Sequence, residues 1–218
     1  MNRSCYSIFF LVIILVSNTS FGQSSDPDVI GMQKKAKEDE KKSEDKKALD
    51  AIIKLLPIVN DEIRYEEVVT DEKLIGKDVY RNARRWLIES FVDSKSVIEY
   101  VDEDKNHVIG KGLIRFSFSS GLLFYKDQLE FVISITGKDG KYKYEIYNFR
   151  LSQAIAGLGS QNFGPYDPIN LNEEFKTLKS GKGSNKRYRE KLFSIISLKF
   201  FDLTENLKKA VSQQYKDF

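Results

Sequence analysis

The chain holds one histidine, His107, and one cysteine, Cys5, which bounds the chemistry at once. His107 alone cannot build a two-histidine metal site, and any histidine-dependent triad would hang on it. No Gly-x-Ser-x-Gly elbow accompanies it. Beside Asn106, at the start of a strand-like run, it reads as a satisfied or solvated side chain rather than a general base. Carboxylates are plentiful, as at Glu66/Glu67 and Asp102/Glu103/Asp104. Paired acid chemistry, however, needs separated groups in unequal environments, and adjacent strand residues point to opposite faces. The run at Asp102 lacks the following glycine and distal glutamate of a calcium loop. Two glycine clusters fail as phosphate loops: Gly110-Lys111-Gly112 and Gly181-Lys182-Gly183-Ser184 lack the earlier glycine, and Gly157-Leu158-Gly159 lacks the third glycine of a dinucleotide turn. The sequence therefore assigns no catalytic residue, no metal ligand and no cofactor.

The start of the chain has the three parts of a secretory signal: Arg3, an apolar core from Ile8 to Val16, and the small-residue exit Ser20-Phe21-Gly22. An apolar run that short falls well below the roughly 20 residues of a membrane span. Residues 1–22 are thus expected to be cleaved, leaving no transmembrane anchor and a periplasmic or secreted product. Cys5 leaves with the signal, so no disulfide, thiolate metal site or cysteine nucleophile is expected in the mature chain. The whole chain is +3, with 35 basic and 32 acidic residues. Loss of Arg3 leaves 34 basic against 32 acidic, a balance without the basic excess that binding nucleic acid by charge requires.

What remains must position any site. Residues 23–50, almost purely charged from Lys34 to Lys47, cannot bury a face and are expected to be a spacer, disordered or partly helical. The opposed i,i+4 pairs Glu38/Lys42 and Lys37/Lys41 leave such a helix weakly supported. A core is predicted over 51–150. It opens with a short helical turn at Ile52–Leu56 stopped by Pro57, followed by a period-two run from Ile63 to Val69. Between Gly76 and Val92 the period becomes helical, with Val79, Ala83, Trp86, Leu87 and Phe91 on one stripe and Arg81, Arg84, Arg85 and Glu89 away from it. Four strand-like runs follow at 96–101, 107–118, 128–136 and 141–150. Turn signals at Asp104-Lys105-Asn106 and Gly137-Lys138-Asp139-Gly140 make them antiparallel hairpins. Residues 151–186, rich in glycine, asparagine and serine, are expected to be a flexible linker or flap with a short helix near Leu171–Leu178. Residues 187–216 are expected to close the core as a helix with an apolar stripe from Tyr188 to Val211, extended by Phe193, Ile195 and Phe201.

Alternation separates the sheet's faces. Ile114, Phe116 and Phe118 share a side, as do Leu129, Phe131, Ile133 and Ile135, and these sides should meet the helical stripes. The other side, carrying Arg115, Glu130 and Tyr147, is the candidate binding face. Tyr147 is placed there on the alternation of Lys143 and Glu145, although Phe149 two residues on leaves that strand apolar on both sides. A basic cluster at Lys176, Lys179, Lys182, Lys186, Arg187, Arg189 and Lys191 reads first as a solvated loop leading into a helix, and second as contact with an anionic envelope surface.

Several segments carry a family resemblance: Leu56-Pro57, Tyr65-Glu66-Glu67-Val68-Val69, Lys77-Asp78-Val79-Tyr80 with Ala83 and Trp86-Leu87, Val108-Ile109-Gly110-Lys111-Gly112, and Tyr142-Lys143-Tyr144-Glu145-Ile146 ending at Asn148-Phe149. They resemble a domain of unknown function found in exported proteins of Gram-negative bacteria and described as having a TATA-box-binding-protein-like (TBP-like) fold. The resemblance spans about residues 55–150. It implies an α+β fold with a curved antiparallel sheet in the order β-α-β-β-β-β-α, helices packed on one face, and an exported setting. Its motifs are core, turn and strand residues, so it implies no activity, and a fold name does not bring DNA binding with it.

The functional expectation is an exported, non-enzymatic binding or interaction module of the cell envelope, with an unknown envelope ligand or protein as partner and no nucleic acid. The alternative is a periplasmic hydrolase or transferase using carboxylates from distant strands. The export reading predicts that the protein recovered from its producing cell begins at Gln23 by N-terminal sequencing and intact mass. A product retaining residues 1–22 would overturn it.

Overall fold

The computed structural model describes residues 27–91, 97–157, 160, 162–181 and 185–213. The signal expected over residues 1–22 lies outside them. Contacts divide the chain into two units, Met1–Asp45 and Lys46–Phe218. The first is, as far as described, the opening of helix α1, Pro27–Leu55. The charged run is thus helical from Pro27 onward, because lysine, glutamate and alanine all favour helix even where no apolar face exists.

In the second unit, the tail of α1 buries Leu49, and Leu56 follows it into the core. A small hairpin, β1 (Ile58–Val59) and β2 (Glu62–Ile63), turns through Asn60 and Asp61, both at positive φ. The predicted run from Ile63 to Val69 is therefore split: Ile63 ends the hairpin, and β3 (Tyr65–Thr70) begins after Arg64. Helix α2 (Gly76–Ser90) follows, then β4 (Ile98–Asp102), β5 (His107–Ser120), β6 (Leu123–Lys138) and β7 (Lys141–Gly157). The main sheet is antiparallel in the order β3-β7-β6-β5-β4.

The segment 151–186, expected as a linker or flap, is mostly regular structure. β7 runs on to Gly157, β8 (Asp167–Ile169) pairs with its edge, and α3 (Leu171–Ser180) follows. Asn170 caps α3 by accepting from the Glu173 N–H at 3.1 Å, and Leu171, Phe175 and Leu178 are buried. The short helix expected near Leu171–Leu178 is thus α3, held by a three-residue apolar stripe. Helix α4 (Lys186–Val211) closes the unit. It buries Tyr188, Leu192, Phe193, Ile196, Phe200, Leu207 and Val211, whereas Phe201, expected to widen the stripe, is 63% exposed. The observed order thus adds α1, β1, β2 and β8 to the expected β-α-β-β-β-β-α and the short helix near Leu171–Leu178.

Two features hold the layers together. Asn82 of α2 donates to the carbonyls of Val211 (3.2 Å) and Gln213 (2.7 Å) at the end of α4, and the Trp86 indole donates to Asn206 Oδ1 at 2.8 Å. Beneath the helices, Phe200 of α4 lies 4.9 Å from Phe131, 5.1 Å from Phe149 and 5.0 Å from Tyr65, ring centre to ring centre. Each such pair is worth about 0.5–1.5 kcal/mol beyond its buried area.

β7 achieves its two apolar sides through a bulge. Glu130 pairs with Arg150 and Val132 with Tyr147, so two residues of β7, Asn148 and Phe149, stand opposite Phe131. Asn148 takes φ 56°, a left-handed conformation that asparagine tolerates well. The extra residue returns Phe149 to the helix side while Tyr147 stays on the other.

β5 passes under these rings on glycine. A Cβ at Gly112 would stand 2.5 Å from the Phe131 ring and 3.0 Å from Phe91. The Gly110-Lys111-Gly112 motif is thus a packing requirement. Gly112→Ala should cost about 1–3 kcal/mol of stability, read as a lower urea midpoint. An unchanged midpoint would show that Phe131 is not held there.

Candidate functional site

All three helices after β3 lie on one side of the sheet, so the side chains that alternate away from them form the open face. Register places Arg115 opposite Gln128, Glu130 opposite Arg150, and Tyr147 opposite Val132. All three predicted residues therefore share this face, with Glu130 two residues from each of Gln128 and Val132 along β6. Arg115 and Glu130 are exposed, and Tyr147 is half-buried.

The structure adds neighbours that alternation alone did not bring together. Arg64, in the break between β2 and β3, lays its guanidinium 4.9 Å from the centre of the Tyr147 ring. It also bonds to Glu145 and stands 3.5 Å from Glu66. Lys143 completes the square, 3.0 Å from Glu145 and 3.6 Å from Glu66. Burial works to raise the Glu145 pKa, but hydrogen bonds from Arg64 and Lys143 outweigh it and hold this carboxyl below its ordinary value. The same hydrogen bond to Glu145 raises the Arg64 pKa. Glu66 and Glu145 are cross-strand partners in register, while Arg64 is separated from Glu145 by 81 residues. That distance along the chain is why the sequence did not reveal the square.

His107 is also on this face. Its Nε2 lies 2.9 Å from Ser134 Oγ, and its ring meets Tyr100 edge-on at 5.8 Å. Asp102 is its register partner on β4, but the Asp102 carboxylate is occupied by Lys105 Nζ (2.9 Å), the Lys105 N–H (3.1 Å) and the Tyr100 hydroxyl (3.4 Å). Among the described residues no carboxylate orients the imidazole, so the pair lacks the third member of a nucleophilic triad.

The carboxylate-enzyme alternative needs two carboxylates brought together from distant strands, one of them with a raised pKa. Asp127 is the carboxyl pushed up, to about 6, because burial outweighs its hydrogen bond from Gln153. It is 1% exposed and lies on the helix side of β6, where Gln153 Nε2 donates to its Oδ1 (2.8 Å) and to the Tyr188 hydroxyl (2.9 Å). Its Oδ2 has no hydrogen-bond partner. A sealed acid of this kind strains the fold and offers no substrate access. Among the described residues no group of three or more histidine, cysteine or acidic side chains is placed to hold a metal. No helix among them is long and apolar enough to cross a membrane.

The basic cluster of 176–191 is largely tied into the fold. Lys176 pairs with Glu173 (2.9 Å), Arg189 with Glu174 (2.6 Å) and Lys186 with Glu190 (3.5 Å), and Lys191 donates to the Ser119 carbonyl at 2.8 Å. Lys182 lies outside the described residues.

One main antiparallel sheet with helices on one side and an open face on the other makes this an α+β protein. Residues 65–152 match the family described as a domain of unknown function (DUF4468) with TBP-like fold, the kind of domain the central motifs resemble. A DUF4468 family protein from Bacteroides ovatus shares 17% identity and a TM-score of 0.52, over 73% of this chain and 94% of its own. A TBP-like protein from Parabacteroides distasonis shares 12% identity and a TM-score of 0.59, over 74% of this chain and 99% of its own. These likenesses establish the fold. No curated protein matches the chain.

Asp127 makes a pH prediction. Its folded pKa of about 6 lies above the unfolded value near 3.8, so folding favours the protonated form. Stability from this group is complete below about pH 4 and is lost as pH rises through 6. Asp127→Asn should therefore gain stability over the parent at pH 7.5, of the order of 3 kcal/mol, and roughly half of that at pH 5. Equal differences at the two pH values in urea unfolding would refute the assignment.

Proposed function

We propose that this protein is an exported, non-enzymatic binding module that engages a protein partner of the cell envelope through the open face of its sheet. The export part rests on Arg3, the Ile8–Val16 apolar core and the Ser20-Phe21-Gly22 exit. The observation that carries the binding part is the layout of the face. Val132 and Tyr147 are cross-strand partners, and Ile109 and Leu113 stand diagonal to Val132 on either side of Lys111. A half-buried to buried apolar patch crossed by one lysine thus has Arg64, Glu66, Lys143 and Glu145 on one flank and Arg115, Gln128 and Glu130 on the other. An apolar centre within a polar rim is the anatomy of a protein–protein interface. Tyrosine beneath arginine is the kind of pair that dominates binding energy at such centres.

The rim's mixed, mutually paired charges speak against nucleic acid, which would select an unbroken basic stripe. A partner is instead selected by shape and by a few exchanged ion pairs.

The test is retention of envelope proteins on the immobilised mature chain, compared with Tyr147→Ala and with Leu203→Ala on α4 as a control of comparable size. A partner held by the parent and the control, but bound at least about tenfold more weakly by Tyr147→Ala, supports this reading. Undiminished retention by Tyr147→Ala, with its fold intact by circular dichroism, would sink it.

A further inference from the structure

A groove lies on the outward side of α2. There the helix and the turn between β4 and β5 enclose about 510 Å³, within the size range of ligand sites. Four cations line it along one helical stripe, Lys77, Arg81, Arg84 and Arg85, with Ile88 at its far end. From Lys77 to Ile88 the stripe rises ~16 Å, about the length of five extended residues. The cations are therefore in a row and do not converge on one point.

Their pairing is uneven. Arg81 bonds to Asp78, and Arg85 Nε lies 2.7 Å from Glu89 Oε1. Lys77 and Arg84 have no carboxylate partner among the described residues, and both are exposed. The groove is not uniformly basic, because Glu103 on the opposite wall accepts from the Tyr80 hydroxyl at 3.3 Å, and Glu89 closes one end. Ile88, at that far end, is 50% exposed, an apolar contact that a fully charged ligand would leave unused.

We infer that this groove binds an extended acidic peptide segment of a partner protein, with carboxylates on Lys77 and Arg84 and an apolar side chain on Ile88. A spaced row of cations suits carboxylates carried on every second or third residue of an extended strand. The two glutamates repel a polyphosphate or nucleic-acid backbone, whose charges cannot be spaced to avoid them. This site is independent of the open sheet face.

The experiment is fluorescence anisotropy of the full mature chain with a short labelled peptide of glutamates interspersed with leucine, against the same peptide with glutamine in place of glutamate. Lys77→Gln/Arg84→Gln should weaken binding of the acidic peptide at least about tenfold. Lys179→Gln/Arg187→Gln removes the same charge from exposed positions elsewhere and should change it by less than about twofold. Binding should also weaken with added salt. The inference would be overturned by absence of saturable binding, by equal binding of the glutamine peptide, or by equal weakening in both double variants. It would also be overturned by tighter binding of tripolyphosphate or phosphatidylglycerol vesicles through the same two cations.

Discussion

The architecture depends on how β7 keeps two opposite surfaces supplied with the correct side chains. Without the extra residue at Asn148, Tyr147 and Phe149 would share a side. Either Phe149 would leave the cluster it forms with Phe131 and Phe200, or Tyr147 would leave Arg64. One left-handed asparagine resolves this conflict. It costs little at that residue type and separates a dry face from a wet one along a strand apolar on both sides.

The dry face then imposes its own demands on the rest of the sheet. Phe131 and Phe91 fill the space above Gly112, and Leu87 lies against Gly110, so β5 has backbone where other strands have side chains. Helices α2 and α4 can approach because of that, and Asn82 and Trp86 fasten them to each other by hydrogen bonds. Asp127 is the exception on this face: a carboxyl enclosed among Gln153, Tyr125 and Tyr188, where burial disfavours its charge. Its position weakens the fold at neutral pH.

The polar surfaces are organised differently. On the open sheet face most charges answer one another, as in the square of Arg64, Glu66, Lys143 and Glu145. Exposed pairs of this sort add little stability, and their effect is to fix the geometry around Tyr147. On α2 the balance is incomplete, and Lys77 and Arg84 are left facing a groove. The basic run at 176–191, more conspicuous in the sequence, is mostly spent on internal pairs. Charge density along the chain is thus a poor guide to where charge is available.

Local pattern determined the α2 stripe, the hairpin turns, the antiparallel sheet and the side on which Arg115, Glu130 and Tyr147 lie, because period and turn chemistry act over a few residues. At 151–186 the same local logic located the helix near Leu171–Leu178 but missed the continuation of β7 to Gly157 and the pairing of β8, which depend on a neighbouring strand. It also failed at Phe201, since a stripe's width depends on what packs against it. Only the tertiary structure decided that Arg64 stands over Tyr147, that His107 meets Ser134, that Asp127 is enclosed, and that α2 borders a groove with Glu103 opposite. Each of these joins residues distant in sequence whose approach is set by strand order and register. A chain read one residue at a time carries no direct record of either.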